Sequence, residues 1–380
     1  MIGNSLSFAE KEPKPFWEMR FSLDNRLGEL LCSFEKITAL IFKGMFLGVL
    51  ECPKYLTARQ YFITRIRQQA TVFNITNYDQ NLLELFVDSI PFQAKNEFFQ
   101  GIQMIFGECD KKFLAVCSEY CDKAFNRWAS VKSVETLYRE VNPVGLILCD
   151  RLLNFPIESI PTCKKVCQPY FRIPSLKFAV SMYNSFKDSI NNMPQESVFY
   201  LLNPQNNLKK TEAIFKPKFS LIPGWKGYIG REPELEEMKR SLTQDDVYIY
   251  VGHGSGQVYY SFINSDSFKV NPVSMIFGCS SARTVEQGKL AEVYGVQHKF
   301  ILYGSPCYLG SLWDITDKDI DVFTDDFLSG WFYKYDTNRK DKCPLMSRKL
   351  AISRHVCKLK HLIGGAPVIY GLPISTLTNS

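Results

Sequence analysis

The chain has 380 residues, 46% hydrophobic and 22% charged, the balance of an ordinary folded protein, which excludes a disordered or low-complexity chain. That length exceeds what one hydrophobic core usually serves, so two domains are expected. A net charge of +6, with Lys and Arg scattered along the sequence, excludes the clustered basic footprint of a nucleic-acid binder, and no sequence-specific nucleic-acid contact is expected.

The first residues, Met1-Ile-Gly-Asn-Ser-Leu-Ser-Phe-Ala-Glu-Lys-Glu12, lack a basic start followed by an apolar run, so no secretory signal is read there. The best membrane candidate, Ile37 to Leu50, is too short to span a bilayer and carries Lys43, which predicts a soluble intracellular protein with no membrane partner. In that compartment the twelve cysteines are expected to be reduced. Cys117 with Cys121, and Cys163 with Cys167, each put two thiols on one helix face. There is no Cys-x-x-Cys pair and only four histidines, so buried small side chains are expected and no metal site.

Up to about residue 190 the periodicity is helical. Leu27, Leu30, Leu31, Phe34, Ile37 and Ile41 recur at three- and four-residue spacing, with Asp24 or Asn25 as the expected cap. Similar stripes run over Tyr55 to Ile66, Leu82 to Ile90 between Asp79 and Pro91, Phe98 to Phe106, Phe113 to Trp128 and Leu176 to Phe186. Their Leu and aromatic content predicts mutual packing of helices, and the absence of a fixed period argues against a regular solenoid.

The pattern changes at Asn191-Asn-Met-Pro-Gln195, dividing a helical region over 1–192 from a second domain over 193–380. Short apolar runs follow at Val198 to Leu202, Val247 to Val251, Met275 to Phe277, Lys299 to Tyr303 and Pro367 to Tyr370, with a charged helical segment over Glu232 to Leu242. Runs this short and continuously apolar predict strands buried on both faces, hence an α/β fold with a mainly parallel sheet flanked by helices. Ligands bind such sheets at the carboxyl ends of strands.

Two reactive side chains fall there. Val247-Tyr-Ile-Tyr-Val-Gly-His-Gly-Ser-Gly256 delivers His253, and Met275-Ile-Phe-Gly-Cys-Ser-Ser281 delivers Cys279. A thiol attacks as thiolate, an imidazole generates and orients it, and neighbouring glycines expose N–H groups to a developing oxyanion. The glycine-rich turn lacks the lysine and spacing of a phosphate loop, and no Gly-x-Ser-x-Gly elbow surrounds Ser280 or Ser281. Downstream, Gly310-Ser-Leu-Trp-Asp-Ile-Thr-Asp-Lys-Asp-Ile-Asp321 crowds four carboxylates into one segment. Thr316 or Asp317 can cap a helix running towards Trp331, and the remaining carboxylates suit a bidentate arginine.

These segments carry a resemblance. Tyr250 to Gly256, Phe277 to Ser281, Tyr303-Gly-Ser-Pro306, Leu312 to Asp321, Gly365-Ala-Pro-Val-Ile-Tyr-Gly-Leu-Pro373, and upstream Phe199-Tyr-Leu-Leu-Asn-Pro204 and Trp225-Lys-Gly-Tyr-Ile-Gly-Arg-Glu-Pro233, resemble successive motifs of the separase protease domain. The resemblance covers residues 196 to 375. It implies a caspase-like α/β fold after an all-α helical region, and a cysteine endopeptidase that cuts the kleisin subunit of cohesin after arginine at anaphase. It also implies a securin-like inhibitor, a nuclear and cytoplasmic location, and no cofactor. By motif position His253 is the catalytic imidazole and Cys279 the nucleophile, with the Gly254 and Cys279 N–H groups as oxyanion hole. The arginine pocket falls to Asp321, with Asp317 and Asp319 as alternates and Trp313 beside them. Family members carry a long helical superstructure before this domain, so a short form is expected here. The alternative is a catalytically idle scaffold that binds a cohesin or securin-like partner.

Overall fold

A computed structural model describes residues 14–39, 41–48, 53–90, 93, 95–129, 141–263, 268–286 and 293–376. The stretch inspected for an export signal, the side chain of Trp128 and Pro91 lie outside the described residues. Two compact units are present. One gathers the described parts of Met1–Leu30, Gly145–Pro156 and Tyr170–Ser380, the other those of Leu31–Val144 and Ile157–Pro169.

The second unit is helical, with α2 (Pro53–Val72), α3 (Gln80–Ser89), α4 (Lys95–Phe106) and α5 (Lys111–Ala129) following the end of α1 (Lys14–Thr38) from Leu31 onward. Leu83, Phe86, Phe62, Ile66, Ile102, Phe113 and Cys117 form its core, as the three- and four-residue stripes require. Asp79 caps α3 by accepting from the Asn81 and Leu82 N–H groups. Cys117 and Cys121 are buried in this core, where loss of solvent pushes both thiols up to about 12. Among the described residues no three metal-ligating side chains converge. No described helix is long and apolar enough to cross a membrane.

The first unit is built on an eight-stranded sheet that runs from edge to edge as β1 (Val144–Leu146), β2 (Tyr170–Arg172), β10 (Pro367–Gly371), β9 (Cys307–Ser311), β6 (Val273–Phe277), β5 (Val247–Val251), β3 (Val198–Leu202) and β4 (Trp225–Ile229), while β7 (Val285–Glu286) and β8 (Val293–Tyr294) pair separately. Its centre comprises β3 (Val198–Leu202), β5 (Val247–Val251), β6 (Val273–Phe277) and β9 (Cys307–Ser311), in which all residues are buried. The β2–β10, β3–β4, β3–β5, β5–β6 and β6–β9 pairs are parallel, and β9 pairs antiparallel with β10. Alternate side chains enter two cores, one on each face: Tyr200, Ile249, Met275 and Leu309 in the first, Phe199, Tyr248, Ile276 and Tyr308 in the second. This is the layered α/β arrangement expected from the short apolar runs.

Three local readings change. Lys299 to Tyr303 is not a strand but lies in a helix, Val296–Leu302. Gln297, His298, Phe300 and Ile301 are buried while Leu302 is exposed, a one-sided helical burial. The strand is instead Cys307–Ser311, whose Gly and Ser conceal it in an apolar count. Asp24 does not cap α1, which begins at Lys14; its carboxylate accepts the His361 and Leu362 N–H groups instead. Finally β1 (Val144–Leu146) and β2 (Tyr170–Arg172), too short for a period-two pattern, add to the sheet edge from a stretch that otherwise reads as helical.

Candidate active site

Register places the two reactive residues together. Val251 of β5 pairs in parallel with Phe277 of β6, so His253 and Cys279 each sit two residues past a paired strand end. The turns that carry them touch: a β-carbon at Gly278 would lie 2.0 Å from the Gly254 carbonyl oxygen and 2.9 Å from that of Gly252. Only glycine permits that approach. Gly278→Ala is therefore expected to push the turns apart, with a stability loss of about 2 kcal/mol in urea unfolding and about a tenfold fall in turnover. A variant with unchanged unfolding and turnover would show that the turns tolerate separation.

Buried tyrosines hold both turns. Tyr250 Oη donates to the His253 carbonyl at 2.5 Å, Tyr260 Oη to that of Ser255, and Tyr308 Oη to that of Ser281 at 2.7 Å. These hydroxyls satisfy carbonyls that the tight turns cannot pair internally. Gly254 is exposed at the rim with φ +61, a left-handed backbone that glycine adopts freely. Ser280 is left-handed too, with φ +53, a conformation costing about 1 kcal/mol in a residue with a side chain. Its N–H donates to the Trp313 carbonyl at 3.1 Å and its hydroxyl to Asp314 Oδ1 at 2.7 Å, bonds that offset the strain. Ser281 is buried, donating to the Ile276 and Gly278 carbonyls and accepting from the Ser311 N–H. Both serines are thus committed to shaping the turn.

Cys279 is half-buried, and its thiol donates to the Ile315 carbonyl at 3.5 Å. Burial raises the thiol above its ordinary value, and the Asp314 and Asp317 carboxylates add to the rise. The resting group is a thiol, whose proton leaves when a base takes it.

The acidic segment divides its carboxylates among different tasks. Asp317 begins helix Asp317–Trp331, and Thr316 occupies the cap position without making a side-chain cap bond. Asp314 holds Ser280, as described. Asp319 is buried with its two oxygens accepting the Lys358 and Leu359 N–H groups at 2.8 and 2.9 Å, so it anchors a loop and is not among the residues lining the cleft. Asp317 and Asp321, four residues apart on one helix face, line the cleft with His253, Cys279, Thr211 and Leu208. Burial raises the Asp317 carboxyl, while the His253 charge pulls it down. Asp321, 5% exposed, accepts from Thr211 Oγ1 at 2.8 Å; burial pushes it up to about 7, against that bond, and Asp317 contributes. Trp313 is not in the cleft lining: its indole N–H donates to the Leu362 carbonyl at 2.6 Å.

Thr211 was not legible as a site residue. Asn203, left-handed after β3, accepts the Asn207 and Leu208 N–H groups on its Oδ1 and so turns the chain into helix Lys209–Phe219, which carries Thr211 to the cleft. The Asn203-Pro204 dipeptide signals that turn, but nothing local links it to Asp321.

The arrangement brings a thiol, an imidazole, an exposed glycine turn and two carboxyls, of which that of Asp321 is buried and Asp317 is exposed, to one cleft. Comparison with known proteins agrees in kind. The family described as separin, protease domain, matches residues 4–320. A separin of Mus musculus is 38% identical over 377 residues, covering 97% of this chain and 16% of that protein; one of Emericella nidulans is 29% identical, covering 95% and 19%. This chain thus spans about a sixth to a fifth of the length of these curated relatives. The solved Saccharomyces cerevisiae separase–securin complex matches 97% of this chain and 26% of its own, with a TM-score of 0.78 at 24% identity, a likeness of fold. The layered sheet, the touching turns and these matches agree: the chain belongs to the separin protease-domain family.

Proposed function

We propose that this chain cleaves the kleisin subunit of cohesin after arginine, with Cys279 as nucleophile and His253 as general acid and base, under control by a securin-like inhibitor. The observation that carries this reading is the β5–β6 register, which sets His253 beside Cys279 in a cleft whose wall is Asp317 and Asp321. The separase–securin complex among its structural neighbours supports the inhibitor.

In this mechanism Asp321 accepts the substrate guanidinium in a charge-assisted pair, with Asp317 adding negative charge beside it. His253 takes the Cys279 proton as sulfur attacks the carbonyl carbon after arginine, and the Gly254 and Cys279 N–H groups hold the oxyanion. The intermediate collapses, the C–N bond breaks, and His253 returns the proton to the leaving amine. Water then attacks the thioester, giving His253 its proton, and the C–S bond breaks.

An acyloxymethyl ketone bearing arginine tests the reading. Mass spectrometry is expected to show one adduct, on Cys279, and a kleisin peptide with a single arginine is expected to be cut on its carboxyl side. A folded sample that neither takes the label nor cuts the peptide would refute the assignment.

A further inference from the structure

Helix α1 begins far from the dyad in sequence, yet its first half belongs to the unit that carries it. Trp17, Arg20 and Asp24 recur at i, i+3 and i+7 and so share one face. Arg20 and Asp24 are buried, at 7% exposure each, and Trp17 packs on the core cluster that also receives Cys279, Trp313 and Leu362. A charged side chain is rarely buried without a task. Asp24 Oδ1 accepts the N–H groups of both His361 and Leu362, at 2.8 and 2.6 Å. The Leu362 carbonyl accepts the Trp313 indole N–H at 2.6 Å. The Trp313 carbonyl in turn accepts the N–H of left-handed Ser280, and two residues on, the Ile315 carbonyl accepts the Cys279 thiol. A continuous chain of hydrogen bonds therefore runs from α1 to the nucleophile turn.

We infer that Asp24 is a positioning residue of the active centre: it fixes the 361–362 turn, which fixes Trp313, which holds the turn carrying Cys279. The inference rests on the reading of Cys279 as nucleophile. Arg20, one turn from Asp24, adds a buried cation whose charge favours the thiolate of Cys279. Misplacing a nucleophile by a fraction of a bond length reduces turnover while ground-state binding in a separate pocket persists.

The test uses the full chain with Asp24→Ala, Asp24→Asn, Trp313→Phe and the double Asp24→Ala/Trp313→Phe. An arginyl peptide with a fluorogenic leaving group reports kcat and KM, iodoacetamide reports the alkylation rate of Cys279, and thermal unfolding reports the fold. Asp24→Ala and Trp313→Phe are each expected to lower kcat about tenfold with KM within about twofold, and to change alkylation by a similar factor. Asp24→Asn keeps the accepting oxygen and is expected to retain most of kcat, and the double is expected to lose no more than either single, because both break one path. A folded Asp24→Ala with kcat within about twofold of wild type, Asp24→Asn as damaging as Asp24→Ala, or losses that multiply would each overturn the inference. Where Asp24→Ala does not fold, Asp24→Asn and Trp313→Phe decide. If the unaltered chain turns over no arginyl substrate, the function proposed above fails instead, and the alkylation rates still decide whether Asp24 positions the turn.

Discussion

Cys279→Ala is expected to lower arginine-directed cleavage by at least about 10⁵-fold, the scale seen when a covalent nucleophile is removed and only binding and oxyanion contacts remain. The fold is expected to survive. Cys279 is half-buried at a turn, its thiol makes one weak bond to the Ile315 carbonyl, and the backbone contacts holding the turn come from Ser280, Ser281 and Tyr308. Cleavage followed by mass spectrometry, with circular dichroism as the fold control, checks both statements. Activity within tenfold of wild type would place the nucleophile elsewhere.

The second large effect falls on Asp321. At a folded-state value of about 7 it is half protonated near neutrality, and a protonated carboxyl cannot pair with a guanidinium. Arginine binding must therefore expel its proton, so KM for arginyl substrates is expected to fall as pH rises through about 7. Asp317 lines the same cleft, and its carboxylate adds to the rise at Asp321. Asp321→Asn is expected to abolish the pH dependence of KM and to lower kcat/KM about 10³-fold, the cost of leaving a buried guanidinium without its counter-charge. Retained arginine cleavage with an unchanged KM profile would exclude Asp321 as the partner.

The same substitution is expected to stabilise the free protein. The folded value of about 7 lies above the ordinary 3.8, so between these the folded chain holds a proton that the unfolded chain has released. The stability this contributes is full below about pH 4 and is lost as pH rises through about 7. Asparagine keeps an oxygen for Thr211 and has no charge to bury, so Asp321→Asn is expected to gain on the order of 2 kcal/mol at pH 8 and little at pH 4. Urea unfolding at the two pH values measures the difference. Gain of stability with loss of activity is the pattern of a carboxylate kept for recognition at the expense of the fold.

The amino-acid sequence by itself determined the helical stripes, the strands β3, β5, β6 and β10, and the position of His253 and Cys279 at strand ends. Those signals are local: an apolar run that ends in a glycine turn specifies a strand and its loop whatever it packs against. Lys299 to Tyr303 reads as a strand because a short apolar run has no period of its own, and one-sided burial makes it the end of a helix.

Only the tertiary structure decided what the crowded carboxylates do. Four aspartates within one segment look equivalent in sequence, yet Asp314 holds Ser280, Asp319 anchors a backbone loop, and Asp317 and Asp321 face the cleft. Their partners are remote along the chain: Thr211 lies 110 positions from Asp321, and Asp24 lies 338 positions from Leu362. A carboxylate's role is set by which donors surround it and how much water is excluded, and those are properties of packing that no local spacing encodes.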